Sequence, residues 1–264
     1  MPNTQGAPSF SGASTFSVSE SRPIGTTVGT ISAVDGTNPI NYTITIGGTH
    51  FTIDSTSGIV YTARVFDSEN GDIRINITVS ATSSESTDQI FEINITPEND
   101  NPPVFNPNVY FVSVVENTAT STSIALLTVT DADGTTPTIS IFSGNNDNKF
   151  ELRASNTKEI ITQTADLDYE GTTNSYVLII HATDTAQAVT GAIITATATV
   201  IITVEPANEH TPAFSPTSIT NTINENSTIG TMIANPVATD EDASPHDIAK
   251  YTINQVTQNR CCDD

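Results

Sequence analysis

Three stretches of this chain repeat one another at a domain-sized spacing, and that spacing constrains the fold more than any other feature. PSFSGASTFSVSESRPIGTTVGTISAVDG begins at Pro8, PVFNPNVYFVSVVENTATSTSIALLTVTDADG at Pro103, and PAFSPTSITNTINENSTIGTMIANPVATDEDA at Pro212. Each opens on Pro-x-Phe, continues as a candidate strand and reaches a glutamate: Glu20, Glu116 and Glu225. Phe10 to Phe105 is 95 residues and Phe105 to Phe214 is 109. Such a period is too long for one turn of a solenoid and suits whole β-sandwiches set in tandem.

The second halves of the repeats also correspond. VFDSENGDIRINITVSATSS from Val65 parallels DLDYEGTTNSYVLIIHATDT from Asp166, with Asp67 and Glu69 opposite Asp168 and Glu170. Ile75, Ile77 and Val79 alternate with Asn76 and Thr78, and Tyr176, Leu178 and Ile180 recur at the same period of two. Alternation of this kind predicts strands with one face in a core. Ser, Thr, Ile and Val dominate, and helical periodicity is absent. The expected fold is all-β: Greek-key sandwiches end to end, over residues 1–98, 99–206 and the first strands of a truncated third repeat at 207–264.

The chain carries 30 acidic side chains against 8 Lys and Arg, a formal net charge of −22. That argues against nucleic acid and against contact with an anionic membrane surface. No apolar run reaches the length of a membrane span, and MPNTQGAPSF has neither the charged nor the apolar region of a signal peptide. An exported protein with this sequence would have its signal and anchor outside this chain. Cys261 and Cys262 are the two cysteines, adjacent, and too close for the usual disulfide span, so the repeats fold without bridges.

The acidic residues gather by place. Loops of tandem sandwiches cluster at the module ends. Glu20, Asp67 and Glu69 fall at the end of the first repeat, Glu98, Asn99, Asp100 and Asn101 in the linker, and Asp131, Asp133 and Asp184 in the second repeat. Bare, these carboxylates would repel. Calcium takes six to eight hard oxygen ligands at about 2.3–2.6 Å and would neutralise them. At the next boundary the corresponding residues are Glu116, Asp168, Glu170, Asn208, Glu209, His210, Asp240 and Asp242.

These motifs, in this order, resemble the cadherin family over nearly the whole chain. VSES, VVEN and INEN carry the first-strand Glu, FDSE and LDYE the Asp-x-Glu motif, ENDNPP the linker, DADG the Asp-x-Asp pair and HATD the last Asp. The resemblance implies joints that hold three calcium ions each. The outer ion would use Glu20, Asp67, Glu69 and Asp100. The middle ion would share Glu20, Glu69 and Asp100 with Asp133. The inner ion would use Asn99, Asp131, Asp133 and Asp184 with a carbonyl of Asn101. The family's linker usually opens with Asp, where this chain has Pro97 and Pro206, so the middle ion loses a ligand. Glu209 and His210 replace the usual Asp and Asn, and a weaker second joint is expected. Ala33-Val34-Asp35 and Ser83 stand where an upstream half-site would be, which suggests an outermost first repeat.

The implied function is calcium-dependent cell adhesion or recognition by an extracellular ectodomain, with a protein partner, homophilic or heterophilic, and a calcium-dependent dimer or polymer. The alternative is a structural spacer or filament built of the same modules. The absence of Trp argues against the family's Trp-anchored strand swap. Catalysis is not expected: His50, His181, His210 and His246 are dispersed, and no Gly-x-Ser-x-Gly elbow occurs. Asn41, Asn76, Asn94 and Asn226 open Asn-x-Ser/Thr sequons, the middle two at outward strand positions.

Overall fold

The structure, a computed structural model, describes residues 6–36, 38–186 and 191–257. Met1–Gln5 and the Cys261–Cys262 pair lie outside the described residues. Among those described the chain is all strand and loop, and no helix is long and apolar enough to cross a membrane. It divides into two compact units. One comprises Met1–Val104, Thr130–Thr138 and Ala182–Ala196, and the other Phe105–Val129, Ile139–His181 and Thr197–Asp264.

Nine strands come from the first repeat: β1 (Ser9–Ser11), β2 (Thr15–Ser19), β3 (Thr27–Thr30), β4 (Ser32–Val34), β5 (Asn41–Ile46), β6 (Phe51–Ile53), β7 (Ile59–Thr62), β8 (Arg74–Thr82) and β9 (Ser86–Thr96). A four-stranded sheet in the order β2-β9-β8-β5 faces a three-stranded one, β3-β7-β6, and β1 pairs with β4. β2 runs parallel to β9, and the remaining pairs are antiparallel. Alternation explains the core, since Ile77, Val79 and Ala81 on β8 and Phe91, Ile93 and Ile95 on β9 all point inward. Phe51 and Phe66 stack at 5.1 Å within it. Each such buried ring contributes about 1.5–3 kcal/mol.

The turn between β6 and β7 shows how a polar loop fixes a sheet. Asp54 Oδ1 accepts hydrogen bonds from the amides of Thr56 (3.1 Å) and Ser57 (2.8 Å) and from both hydroxyls (2.9 Å each). Those donors, the Ser57 amide foremost, hold the Asp54 carboxyl far below its usual range. Gly58 closes the turn at φ +72°, where a Cβ would lie 2.2 Å from the carbonyl oxygen of Ile31.

The second repeat gives β10 (Val104–Phe105), β11 (Val109–Val115), β12 (Ser123–Leu126), β13 (Val129–Thr130), β14 (Thr138–Ser143), β15 (Phe150–Arg153), β16 (Asn156–Thr162), β17 (Ser175–Ala186) and β18 (Ile193–Glu205). Its sheets repeat the plan strand for strand: β11-β18-β17-β14 and β12-β16-β15. β11 runs parallel to β18 as β2 does to β9. Leu178 and Ile180 on β17 and Val200, Ile202 and Val204 on β18 fill the core, with Phe150 edge-on to Tyr176 at 5.1 Å. The threonines that interrupt the apolar run of Ile193–Glu205 thus lie within a strand. Beyond it, β19 (Ala213–Phe214) pairs with β20 (Ala238–Thr239), repeating the pairing of β1 with β4.

Candidate metal centre

The sheets place the acidic loops. β2 ends at Ser19, which delivers Glu20 to the foot of the first sandwich, where it is wholly buried. The amide of Glu98 donates to its Oε1 at 2.6 Å, and the amide of Ser68 donates to Oε2. One carboxylate therefore binds the linker and the Asp-x-Glu loop together. Glu116, only 2 % exposed, does the same in the second unit, taking the amides of Ala207 at 2.6 Å and Tyr169 at 2.7 Å. These backbone donors carry no residue-type signature, so sequence reasoning missed them.

Three groups of carboxylates bring ligand oxygens within 4.8 Å of one another: Glu20 with Glu69 and Asp100, Asp131 with Asp133 and Asp184, and Glu116 with Asp168 and Glu170. All of these residues were expected as ligands, and the first two groups fall in one compact unit. Asn101 lies between them. Its side-chain amide donates to Asp133 Oδ1 (2.7 Å), Asp100 Oδ1 (2.9 Å) and Glu69 Oε2 (3.4 Å). Its backbone amide donates to Asp133 Oδ2 at 2.9 Å. The Ser21 hydroxyl, another group not anticipated, donates to Asp100 Oδ2.

The second group shows what it lacks. Asp184 Oδ1 accepts from the Thr185 amide (2.7 Å) and the Thr135 hydroxyl (2.9 Å), and Asp131 Oδ1 from the Asp133 amide (2.9 Å). Asn99 Nδ2 donates to the carbonyl (3.0 Å) and hydroxyl (2.7 Å) of Thr185. Asp131 Oδ2, Asp184 Oδ2 and Asn99 Oδ1 are then left buried with no hydrogen-bond donor. Each such oxygen costs about 1–3 kcal/mol unless something positive meets it. Burial, reinforced by the charges of Asp184 and Asp133, pushes the Asp131 carboxyl above its usual range. The donor set is all oxygen and part amide, which fits a hard divalent cation such as Ca2+ and does not fit zinc.

The other expected ligands are not members of these groups, although the amide of Ala243, next to Asp242, donates to Glu170 Oε1 at 2.8 Å. Asp67 turns into its own loop, accepting from the Asn70 amide at 3.0 Å and the Asn70 side chain at 2.6 Å. The Glu98 side chain faces Arg22 at 3.6 Å, so Glu98 contributes its backbone. In the second unit Asp242 Oδ1 accepts from the amides of Glu209 (3.1 Å) and His210 (3.0 Å), while Asp242 Oδ2 is buried without a donor. Burial works against the Asp242 carboxylate, yet those two amides hold it below its usual range. The Asp242 amide donates to Asp240 at 3.2 Å, as Asp133 does to Asp131. The His210 ring lies 3.6 Å from Glu209 and 3.6 Å from Glu241. Asn208 is exposed, on a cavity it shares with Asp240. In the first repeat the Ser83 hydroxyl donates to buried Asp35, a single carboxylate where the second repeat has three.

A sequence profile of the cadherin domain matches residues 110–205, the segment from β11 to the end of β18. The chain belongs to the cadherin family. It is 30 % identical to protocadherin Fat 4 of Mus musculus over 255 residues, covering 89 % of this chain and 5 % of that protein. It is 32 % identical to cadherin-23 of Rattus norvegicus over 237 residues, covering 85 % and 7 %. The crystal structure of mouse cadherin-23 EC22-24 superposes with a TM-score of 0.73 at 28 % identity, over 91 % of this chain and 80 % of that one. The chain thus spans a small fraction of the relatives' length, and the shared part is the tandem cadherin β-sandwich. Cadherin domains bind calcium, and the three carboxylate groups are where this cadherin chain can hold ions.

Proposed function

We propose that this chain is part of a calcium-dependent adhesion or recognition ectodomain, displayed outside the cell, whose acidic loops are fixed by Ca2+. The observation that carries this reading is the trio of donorless buried oxygens on Asn99, Asp131 and Asp184, two of them in the Asp131 triad, in the same compact unit as the Glu20 triad. Two groups from the first repeat, the linker and two loops of the second repeat share one set of cations, so ion binding stiffens the chain where repeats meet. The repeats then follow the sequence boundaries at 98 and 206. The roles assigned to Asn208, Glu209, His210, Asp240 and Asp242 make a second, weaker site, because His210 and Glu209 replace shorter oxygen ligands.

The partner in this reading is another protein, and a rigid module presents its surface at little entropic cost. Extracellular calcium modules typically bind at about 10⁻⁴–10⁻³ M. Small-angle scattering and isothermal titration in calcium and in chelator test the proposal together. The expected result is heat of binding in the millimolar range and a scattering profile that loosens on chelation. No binding, or an unchanged profile, would defeat it. A filament-forming role draws on a different observation, the exposed Ile229, Met232, Ile253 and Val256 of the third segment. Mass photometry across a calcium titration separates the two, since adhesion predicts discrete dimers and a filament predicts open-ended growth.

A further inference from the structure

The two four-stranded sheets share one strand plan, yet their outward faces differ in chemistry. Phe111 stands five residues before Glu116, as Thr15 stands five before Glu20. In the first repeat Thr15 pairs with Glu92 and Glu92 with Asn76, so that row is polar and ends on a sequon. The next row joins Ser17, Asn94 and Arg74, and Arg74 lies 3.5 Å from Glu92. In the second repeat the matching row is apolar. Phe111 pairs with Ile201. The Val204 amide donates to the Asn174 carbonyl at 2.9 Å and the hydroxyls of Thr183 and Thr195 meet at 3.4 Å, one antiparallel register that sets Val177 opposite Ile201.

Phe111 is 77 % exposed and Val177 50 %. At the β14 edge Phe142, also exposed, stacks on His181 at 4.0 Å. Strands β11, β14, β17 and β18 contain no Lys or Arg, and their two carboxylates are buried Asp184 and terminal Glu205. An apolar row across a threonine-rich face that lacks Lys, Arg and exposed mid-strand carboxylates is an anomaly on a chain of net charge −22.

We infer that this face, centred on the Phe111–Ile201–Val177 row, docks against the same face of a second copy of the chain. Charge selects the occupant. A basic partner gains most from the acidic surface elsewhere, whereas two copies of so acidic a chain can approach only where neither brings charge. An isologous contact over this face removes apolar area and confronts no like charges. Four strands at about 4.8 Å and seven residues at about 3.3 Å give a face of about 400 Å², so the pair buries on the order of 900 Å². That is the size of a weak, reversible contact of the kind adhesion multiplies across many copies. The polar first-repeat face, with Asn76 and Asn94, is the side left to solvent and glycan. The inference deepens the adhesion reading and rests on it for its biological sense.

Sedimentation velocity of the whole chain, in calcium and in chelator, tests it against Phe111→Glu and Val177→Glu. Ile90→Glu, at an exposed apolar position of the first sheet, is the control. The expected result is a reversible dimer, weakened at least about tenfold by either face variant and unchanged by the control. Because both side chains are exposed, the variants should melt as the parent does, and matched melting curves verify that. A chain that titrates calcium but stays monomeric overturns the inference, leaves the calcium reading standing, and gives the face to a partner of different sequence. Dimers that survive both face substitutions overturn it as well. Dimers that depend on Phe111 in a chain that takes up no calcium sustain it while removing the calcium reading.

Discussion

Glu20 accepts a hydrogen bond from the amide of Glu98 at 2.6 Å, across 78 residues of sequence. Glu116 accepts from Ala207 at the same distance across 91. A buried side chain that ties the end of each repeat to its start is a structural part before it is a ligand. Glu20→Ala should therefore destabilise the first repeat even in chelator, by about 2–4 kcal/mol, because two amides lose their acceptor. Chemical denaturation without calcium measures this. A stability loss seen only in calcium would assign Glu20 to ion binding alone.

Asp100 belongs to the Glu20 triad and accepts from the Asn101 side-chain amide, which also reaches Asp133 of the second repeat. Asp100→Ala should weaken calcium binding at the first joint about tenfold or more, and Asp168→Ala should do so at the second. Calorimetric titration of each variant should show the loss of one class of sites and the retention of the other.

Arg64 forks onto Asp72 at 2.7 and 2.5 Å and lies over the Phe66 ring at 4.5 Å. The Arg64 hydrogen bonds hold the Asp72 carboxyl below its ordinary value of 3.8. A depressed folded value stabilises in full above the unfolded value and is lost as the pH falls through the folded one. The stability gap between the parent and Asp72→Asn should thus be constant near neutrality and narrow below about pH 4. Arg64→Lys keeps the charge but loses the fork and the stacking, and should cost about 1 kcal/mol.

Gly58→Ala should cost about 2–4 kcal/mol, since a methyl group there meets the Ile31 carbonyl at 2.2 Å and demands a φ of +72°. Gly134, at φ +74° with open space around it, should cost less on the same change. Thermal unfolding of the two variants compares strain plus collision with strain alone.

The sandwiches, their tandem order and the acidic clusters were legible because alternation and the repeated Glu, Asp-x-Glu and Asp-x-Asp motifs are local signals. The split between Asp67 and Asp168 was not, although both sit in the same motif. Three residues on, the first repeat has Asn70, whose side-chain amide reaches Asp67 at 2.6 Å. The second has Gly171, which offers Asp168 only a backbone amide at 2.9 Å. One side chain thus decides whether a carboxylate faces its own loop or its neighbours. The contrast between the two outward sheet faces was equally hidden, because it depends on which strands lie side by side.

The Asn101 amide bridging Asp100, Asp133 and Glu69 bears on the loops before any cation is bound. It supplies a partial positive charge where three anionic groups converge, so the loops have a reason to stay gathered when the cation is scarce. If Ca2+ is bound as proposed, it would take the place of that donor in a nest already shaped, and falling calcium would slacken these loops by degrees instead of scattering them.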